Sequence, residues 1–108
     1  MSLSAAWIVL LIAGFVEVVW ALGVRYTGGW TRFWPSLVVL IAYVGDLYLL
    51  SFPMRRLPVA TVYAVWVGIG TVGVAIGGAL LFGEELSPAR VTCLALILTG
   101  VIGLRLIS

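Results

Sequence analysis

The sequence has no histidine, and its only cysteine is Cys93. Without histidine, neither a histidine zinc site nor an imidazole proton relay is available. One cysteine cannot form an intrachain disulfide, and Cys93 lies in an apolar run where packing is the default role. Charge is also scarce: six basic residues, all arginine, and four acids make up 9% of 108 residues. An average soluble domain carries roughly 25% charged residues, so ten ionisable side chains cannot cover a water-facing surface. The 64% apolar content excludes a disordered chain. No nucleophile–base pair, metal-ligand cluster or phosphate-cradling loop appears, so no enzyme, cofactor, metal or nucleic-acid partner is expected.

What is present is apolar length. Mean hydropathy is +1.27, and the apolar residues fall into four runs, at about 5–24, 34–52, 58–82 and 88–107. Each is long enough for a span of about 20 residues. The breaks carry turn formers and basic residues: Arg25 to Arg32 with Gly28 and Gly29, then Pro53 to Arg56, then Gly83-Glu84-Glu85. Ser87-Pro88 reads as a helix N-cap followed by proline in the first turn. Period-two alternation is not sustained, which argues against a membrane β-barrel. The first run lacks a basic n-region and an Ala-x-Ala site and contains an acid, so it reads as a retained span. The expected fold is an all-α integral membrane protein, one domain over 1–108 with four transmembrane helices, in a cell membrane. Trp7, Trp30 and Trp34 lie near span ends and are expected to be interfacial anchors; Tyr43 and Tyr48 are expected to pack.

The arginines bear on topology. With four spans, Arg55, Arg56 and Arg105 share one side, and Arg25, Arg32 and Arg90 share the other. Orientation follows an excess of Lys and Arg on the cytoplasmic side, and three against three supplies none. The division points to dual topology, with two opposite copies forming an antiparallel homodimer; a small asymmetry lost in the span ends is the plainer alternative. Four helices are also too few to enclose a polar path unaided. Small residues at spacing four let helix backbones approach, and they recur at Gly73/Gly77, at Ala60/Ala64/Gly68 and at Ala95/Thr99/Gly103. The last span has no charged side chain between Arg90 and Arg105, so Ala95, Thr99 and Gly103 are expected to serve dimerisation.

Two acids lie inside spans, Glu17 in the first and Asp46 in the second. By insertion scales an acid at a helix centre costs about 2.5–3.5 kcal/mol, and such residues normally mark an ion or proton path. No Lys or Arg lies deep in a span as a standing counter-ion, so the expected partner is transient: a proton or a cationic substrate. A protonated acid in a structural hydrogen bond is the alternative. At helical spacing the Glu17 face carries Ala13, Gly14, Trp20 and Ala21, with small residues leaving room and Trp20 offering a wall. Tyr63, Trp66 and Gly70 share a face of the third span. A cation beside a carboxylate and against aromatic faces is favoured both by charge and by the ring quadrupole. One carboxylate cannot hold a proton and pair with a cation at once, so binding is exclusive; if the empty, deprotonated site rarely changes its facing, protons running inward drive the cation outward. Gly68 and Gly70 are candidate hinge residues, with plain packing as the alternative.

These residues carry a resemblance. Ala13-Gly14-Phe15-Val16-Glu17-Val18-Val19-Trp20-Ala21 is similar to the first-helix motif of the guanidinium-exporting subtype of the small multidrug resistance family. Pro58 through Gly70, including Tyr63-Ala64-Val65-Trp66-Val67-Gly68-Ile69-Gly70, resembles that subtype's third-helix motif, and Leu98 to Leu104 resembles its last. The resemblance covers essentially the whole chain. It implies an antiparallel dual-topology dimer, Glu17 of both subunits at the site, Trp20, Tyr63 and Trp66 lining the pocket, and proton-coupled export of guanidinium. Three positions depart from the pattern: Asp46 where the subtype usually has Ser, Ala60 where Gly is common, and Val67 where Thr is common. If Asp46 meets Glu17, two carboxylates share a site; otherwise Asp46 marks a separate polar contact. Some relatives pair unlike chains, which needs a basic bias that this sequence lacks. The competing functions are export of bulkier quaternary ammonium compounds, a non-transporting membrane subunit and a passive cation channel.

Overall fold

A computed structural model describes residues 2–107. Four helices, α1 (Leu3–Gly23), α2 (Phe33–Leu50), α3 (Val59–Phe82) and α4 (Pro88–Ile107), are joined by short connections with 3-10 turns at Val24–Thr27 and Pro53–Arg55. At 1.5 Å per residue the shortest, with 18 residues, is about 27 Å long, close to the roughly 30 Å hydrocarbon core of a bilayer. All four are long and apolar enough to cross it, so the expected all-helical, four-span architecture is what the chain forms.

The helix ends follow from local chemistry. Ser2 Oγ accepts the Ala5 amide at 3.1 Å, and Ser87 Oγ accepts the Arg90 amide at 3.3 Å with Pro88 opening α4, as the Ser-Pro pair predicts. α3 stops at Gly83, which takes the left-handed conformation (φ +67°) so that its amide and that of Glu84 both reach the Gly78 carbonyl. The first connection is ordered by buried Thr27, whose hydroxyl donates to the Val24 carbonyl at 2.7 Å and accepts the Trp30 amide at 3.2 Å.

α1 lies between α2 and α3, and α4 packs against the outer side of α3. The subunit is a slab of 41 × 35 × 17 Å. Its core sits toward the start of α1, where Ala6, Trp7, Leu10 and Ala13 meet Val62, Val65 and Trp66 of α3 together with Leu50 and Leu57. Trp7 therefore differs from expectation. It is 6% exposed within this core rather than an interfacial anchor, with the Arg105 guanidinium over its ring at 5.1 Å. Trp30 and Trp34 are exposed near helix ends. Further along, α1 and α3 approach closely because Gly73 faces Val18 and Gly77 faces Leu22. α4 meets α3 at Gly68, through Val101 and Ile97. None of the residues of α4 is buried, and Gly100 and Gly103 face open space.

At one end of the bundle Arg25 pairs with Glu84 at 3.2 Å and stacks over Phe82 at 4.5 Å. The pair ties the first connection to the third, at the end away from Trp7 and Arg105. Both side chains are about half exposed (60% and 49%), where such a pair contributes at most about 1 kcal/mol.

Candidate functional site

The two membrane-embedded acids enter the helix packing from different elements. Glu17 stands on α1 and reaches across to Gly70 of α3, so close that a Cβ there would collide with its carboxyl. Glycine permits this close approach, and any larger side chain at position 70 would push the carboxyl back. Beside it, Glu17, Ala21, Val67, Gly70, Thr71 and Val74 line a groove of about 270 Å³ between α1 and α3. Oε1 of Glu17 is buried and has no hydrogen-bond partner among the described residues.

Asp46, on α2, is fully buried at 0% exposure. Its Oδ2 accepts two indole N–H groups, Trp20 Nε1 from α1 at 2.9 Å and Trp66 Nε1 from α3 at 3.2 Å. Trp66 Nε1 is shared with the Ala13 carbonyl, also at 3.2 Å. Oδ1 of Asp46 is buried and unpartnered among the described residues, like Glu17 Oε1. Each indole is met by a tyrosine: Tyr43 edge-on to Trp20 with centroids 5.1 Å apart, and Tyr63 tilted against Trp66 at 6.1 Å. One aspartate thus joins three helices through two tryptophans.

The structure sorts the residues singled out from the sequence into an Asp46 cluster and the Glu17 groove, whose lining contains none of Trp20, Tyr63 and Trp66. Trp20 and Trp66 converge on Asp46, and Glu17 lies on α1 one turn from both Ala13 and Trp20. Tyr63 is 58% exposed and joins the cluster through the ring of Trp66. Ala13 and Gly14 are not open space: Ala13 is buried beneath Trp66, and Gly14 is filled by Ile69. The room beside the carboxylate comes instead from Ala21 and Gly70. Gly68 and Gly70 lie within an unbroken helix, each occupied by a neighbour, Val101 and Glu17 respectively. Ala95, Thr99 and Gly103 lie on α4, away from the acids, with the Thr99 hydroxyl bonded back to the Ala95 carbonyl at 2.8 Å.

Two features were missed in the sequence reading. Tyr43 precedes Asp46 by three residues on α2, a same-face spacing that marks it as part of the cluster. Val67, Thr71 and Val74 continue the Gly70 face at the same periodicity and form the far wall of the groove.

Chemically, the site offers the Glu17 carboxyl, whose buried Oε1 is free, one helical turn from an indole that a second acid, Asp46, holds. No basic side chain neutralises either acid: the one ion pair among the described residues is Arg25–Glu84. An arrangement of this kind suits a positively charged guest that carries N–H donors, or a proton.

The family model described as Small Multidrug Resistance protein matches residues 5–97. Over 101 residues the chain is 57% identical to a protein of Citrobacter freundii named guanidinium exporter, covering 94% of this chain and 96% of that protein. The protein of the same name from Klebsiella oxytoca matches equally. A third guanidinium exporter, from Yersinia pseudotuberculosis, is 52% identical over 103 residues, covering 95% and 99% of the two chains. The relatives are named as exporters, which points away from an enzyme. With four membrane-crossing helices and a family match over nearly its whole length, the chain is a multi-pass membrane protein that belongs to the small multidrug resistance family.

Proposed function

We propose that the protein is a proton-coupled antiporter that exports guanidinium or small substituted guanidinium cations, with proton and cation competing for Glu17. The observation that carries this reading is the buried, unpartnered Oε1 of Glu17 beside a groove of about 270 Å³ with no basic side chain in its lining. The names of the relatives supply the cation. Guanidinium is planar and presents paired N–H donors that suit a carboxylate, and its flat face suits the indoles of Trp20 and Trp66. A quaternary ammonium ion has no N–H group to offer a free carboxyl oxygen, so the site favours guanidinium over the bulkier alternative.

The exchange follows from a single carboxylate serving two ligands. The cation binds the deprotonated acid; protonation on the other side of the membrane removes the charge that holds it. If the empty, charged site seldom changes its facing, the proton gradient drives the cation outward. The groove is open in the single chain, and lipid cannot solvate an acid. In this reading a second, oppositely oriented copy covers it, the chain acting as one four-helix domain in an antiparallel homodimer. Ala95, Thr99 and Gly103 on the otherwise unburied α4 form the contact with that copy. Gly68 and Gly70 are where α3 bends on changing access, which shifts Val101 of α4 and Glu17 together.

Reconstituted liposomes with an imposed pH gradient test this. The protein should accumulate guanidinium against its gradient, and Glu17→Gln should abolish gradient-driven accumulation. Because the proton excludes the cation, acidifying the loading side should weaken apparent affinity, by up to about tenfold per pH unit for a single exchanged proton. Accumulation by the Glu17→Gln variant, or an apparent affinity that rises on acidification, refutes the exchange.

A further inference from the structure

We infer that Asp46 is a positioning residue whose Oδ2, by accepting the indole N–H groups of both Trp20 and Trp66, fixes two rings that stand one helical turn from Glu17 and from its contact Gly70, as walls for the bound cation. The inference rests on the proposed function for what those walls bind.

The geometry is specific. A carboxyl oxygen has two lone pairs, and here two donors, at 2.9 and 3.2 Å, use both. Trp20 and Trp66 come from helices on either side of the groove, and Asp46 reaches them from the third. In a lipid-enclosed interior an indole that loses its acceptor has no water to replace it, so the bond sets the ring's orientation. The two indoles do not depend on Asp46 equally. Trp66 Nε1 also has the Ala13 carbonyl at 3.2 Å, whereas Asp46 is the one acceptor of Trp20 Nε1 among the hydrogen bonds of the described residues. Removing the aspartate oxygen should therefore release Trp20 more than Trp66. The acid nearest the cluster along α1 is Glu17, three residues before Trp20 with its carboxyl at Gly70; the titratable side chains against the indoles are Tyr43 from α2 and Tyr63 from α3.

The rival role is a second ion-carrying acid, and the two differ in what must be kept. Positioning needs an acceptor oxygen; ion carrying needs the ionisable group. Asp46→Asn keeps the first and removes the second, with its amide oxygen in the place of Oδ2. Asp46→Leu removes both. Guanidinium KM, kcat and protons moved per cation are measured in liposomes, and the indole N–H resonances of the five tryptophans are followed by NMR on protein labelled at the indole nitrogen. Asp46→Leu should raise KM about tenfold or more, the order expected for lost hydrogen bonds, and shift or broaden the Trp20 indole signal more than that of Trp66. Asp46→Asn should restore both indole signals and bring KM back to within about threefold of the parent, with the protons per cation retained.

Trp20→Phe removes the same bond from the other side, and should raise KM without altering that ratio; it and Asp46→Asn carry the test if Asp46→Leu does not assemble. Three outcomes overturn the inference: Asp46→Asn as impaired as Asp46→Leu while its indole signals match the parent; a changed number of protons per cation in Asp46→Asn; or an unshifted Trp20 signal in Asp46→Leu. If the parent protein exchanges no guanidinium, the proposed function fails, and the indole signals alone still decide whether Asp46 holds the two rings.

Discussion

A methyl group at Gly70 would meet the Glu17 carboxyl, which is the flexible end of a side chain rather than fixed backbone. The fold and the site should therefore respond to it in opposite senses. In a helix interior alanine is favoured over glycine by up to about 1 kcal/mol, so Gly70→Ala should leave the subunit as stable as the parent or slightly more so. The carboxyl, displaced from α3, should lose its hold on the cation, raising guanidinium KM by about tenfold, the cost of about 1.4 kcal/mol of misplacement. Thermal unfolding in detergent and liposome exchange on the same preparation check the two halves; loss of stability with retained affinity would contradict the geometry. Glu17 itself was legible in the sequence, because an acid without a basic partner stands out in an apolar span. What it touches was not. Ala13 and Gly14 share its face by periodicity, yet the space above them is taken by Ile69 and Trp66, side chains of another helix whose register no local pattern fixes.

At the scale of the helices, spacing told which small residues share a face but not which helix that face meets. Gly73/Gly77 and Ala95/Thr99/Gly103 carry the same small-residue spacing. In the structure the first pair is used inside the subunit, where Val18 and Leu22 of α1 press against it, while Gly103 faces open space. The number of spans and the Ser87 cap were legible because they depend on local composition and backbone chemistry. Trp7 was misplaced because nearness to a helix end outweighed the Ala6–Trp7–Leu10–Ala13 stripe, which is a buried face at helical period. The contrast between the two glycine faces can be tested directly. Gly73→Val should force α1 from α3 and destabilise the subunit by about 1–3 kcal/mol, as overpacking does. Gly103→Val should change subunit stability by no more than about 0.5 kcal/mol and instead reduce pairing in the proposed dimer. Urea or thermal unfolding reads the first effect, and subunit exchange between labelled copies in detergent or bilayer reads the second.

For the whole molecule, the dimensions and the charge pattern lead to the same arrangement. The subunit is a slab 17 Å thick, and Glu17 is only partly buried at an open groove, so its own chain does not enclose it from all sides. The arginines stand at the two ends: Arg25 beside Glu84 at one, Arg105 over Trp7 at the other. With Arg32 and Arg90 joining the first and Arg55 and Arg56 the second, neither end exceeds the other, and a positive-inside preference has nothing to act on. In the proposed antiparallel pair each copy supplies the cover that the other lacks, and each also presents the groove in the opposite sense. Extra arginines in the first and third connections should hold every copy one way round, and extra arginines at the second connection and the termini should hold it the other way. Cysteine accessibility from each side of the membrane reads the orientation. Either biased form alone should export little guanidinium, and the two expressed together should recover most of the parental rate, because only the mixture contains opposed copies. Equal, full export from each biased form by itself would mean that parallel or single copies suffice, and the open side of the Glu17 groove would then need another cover.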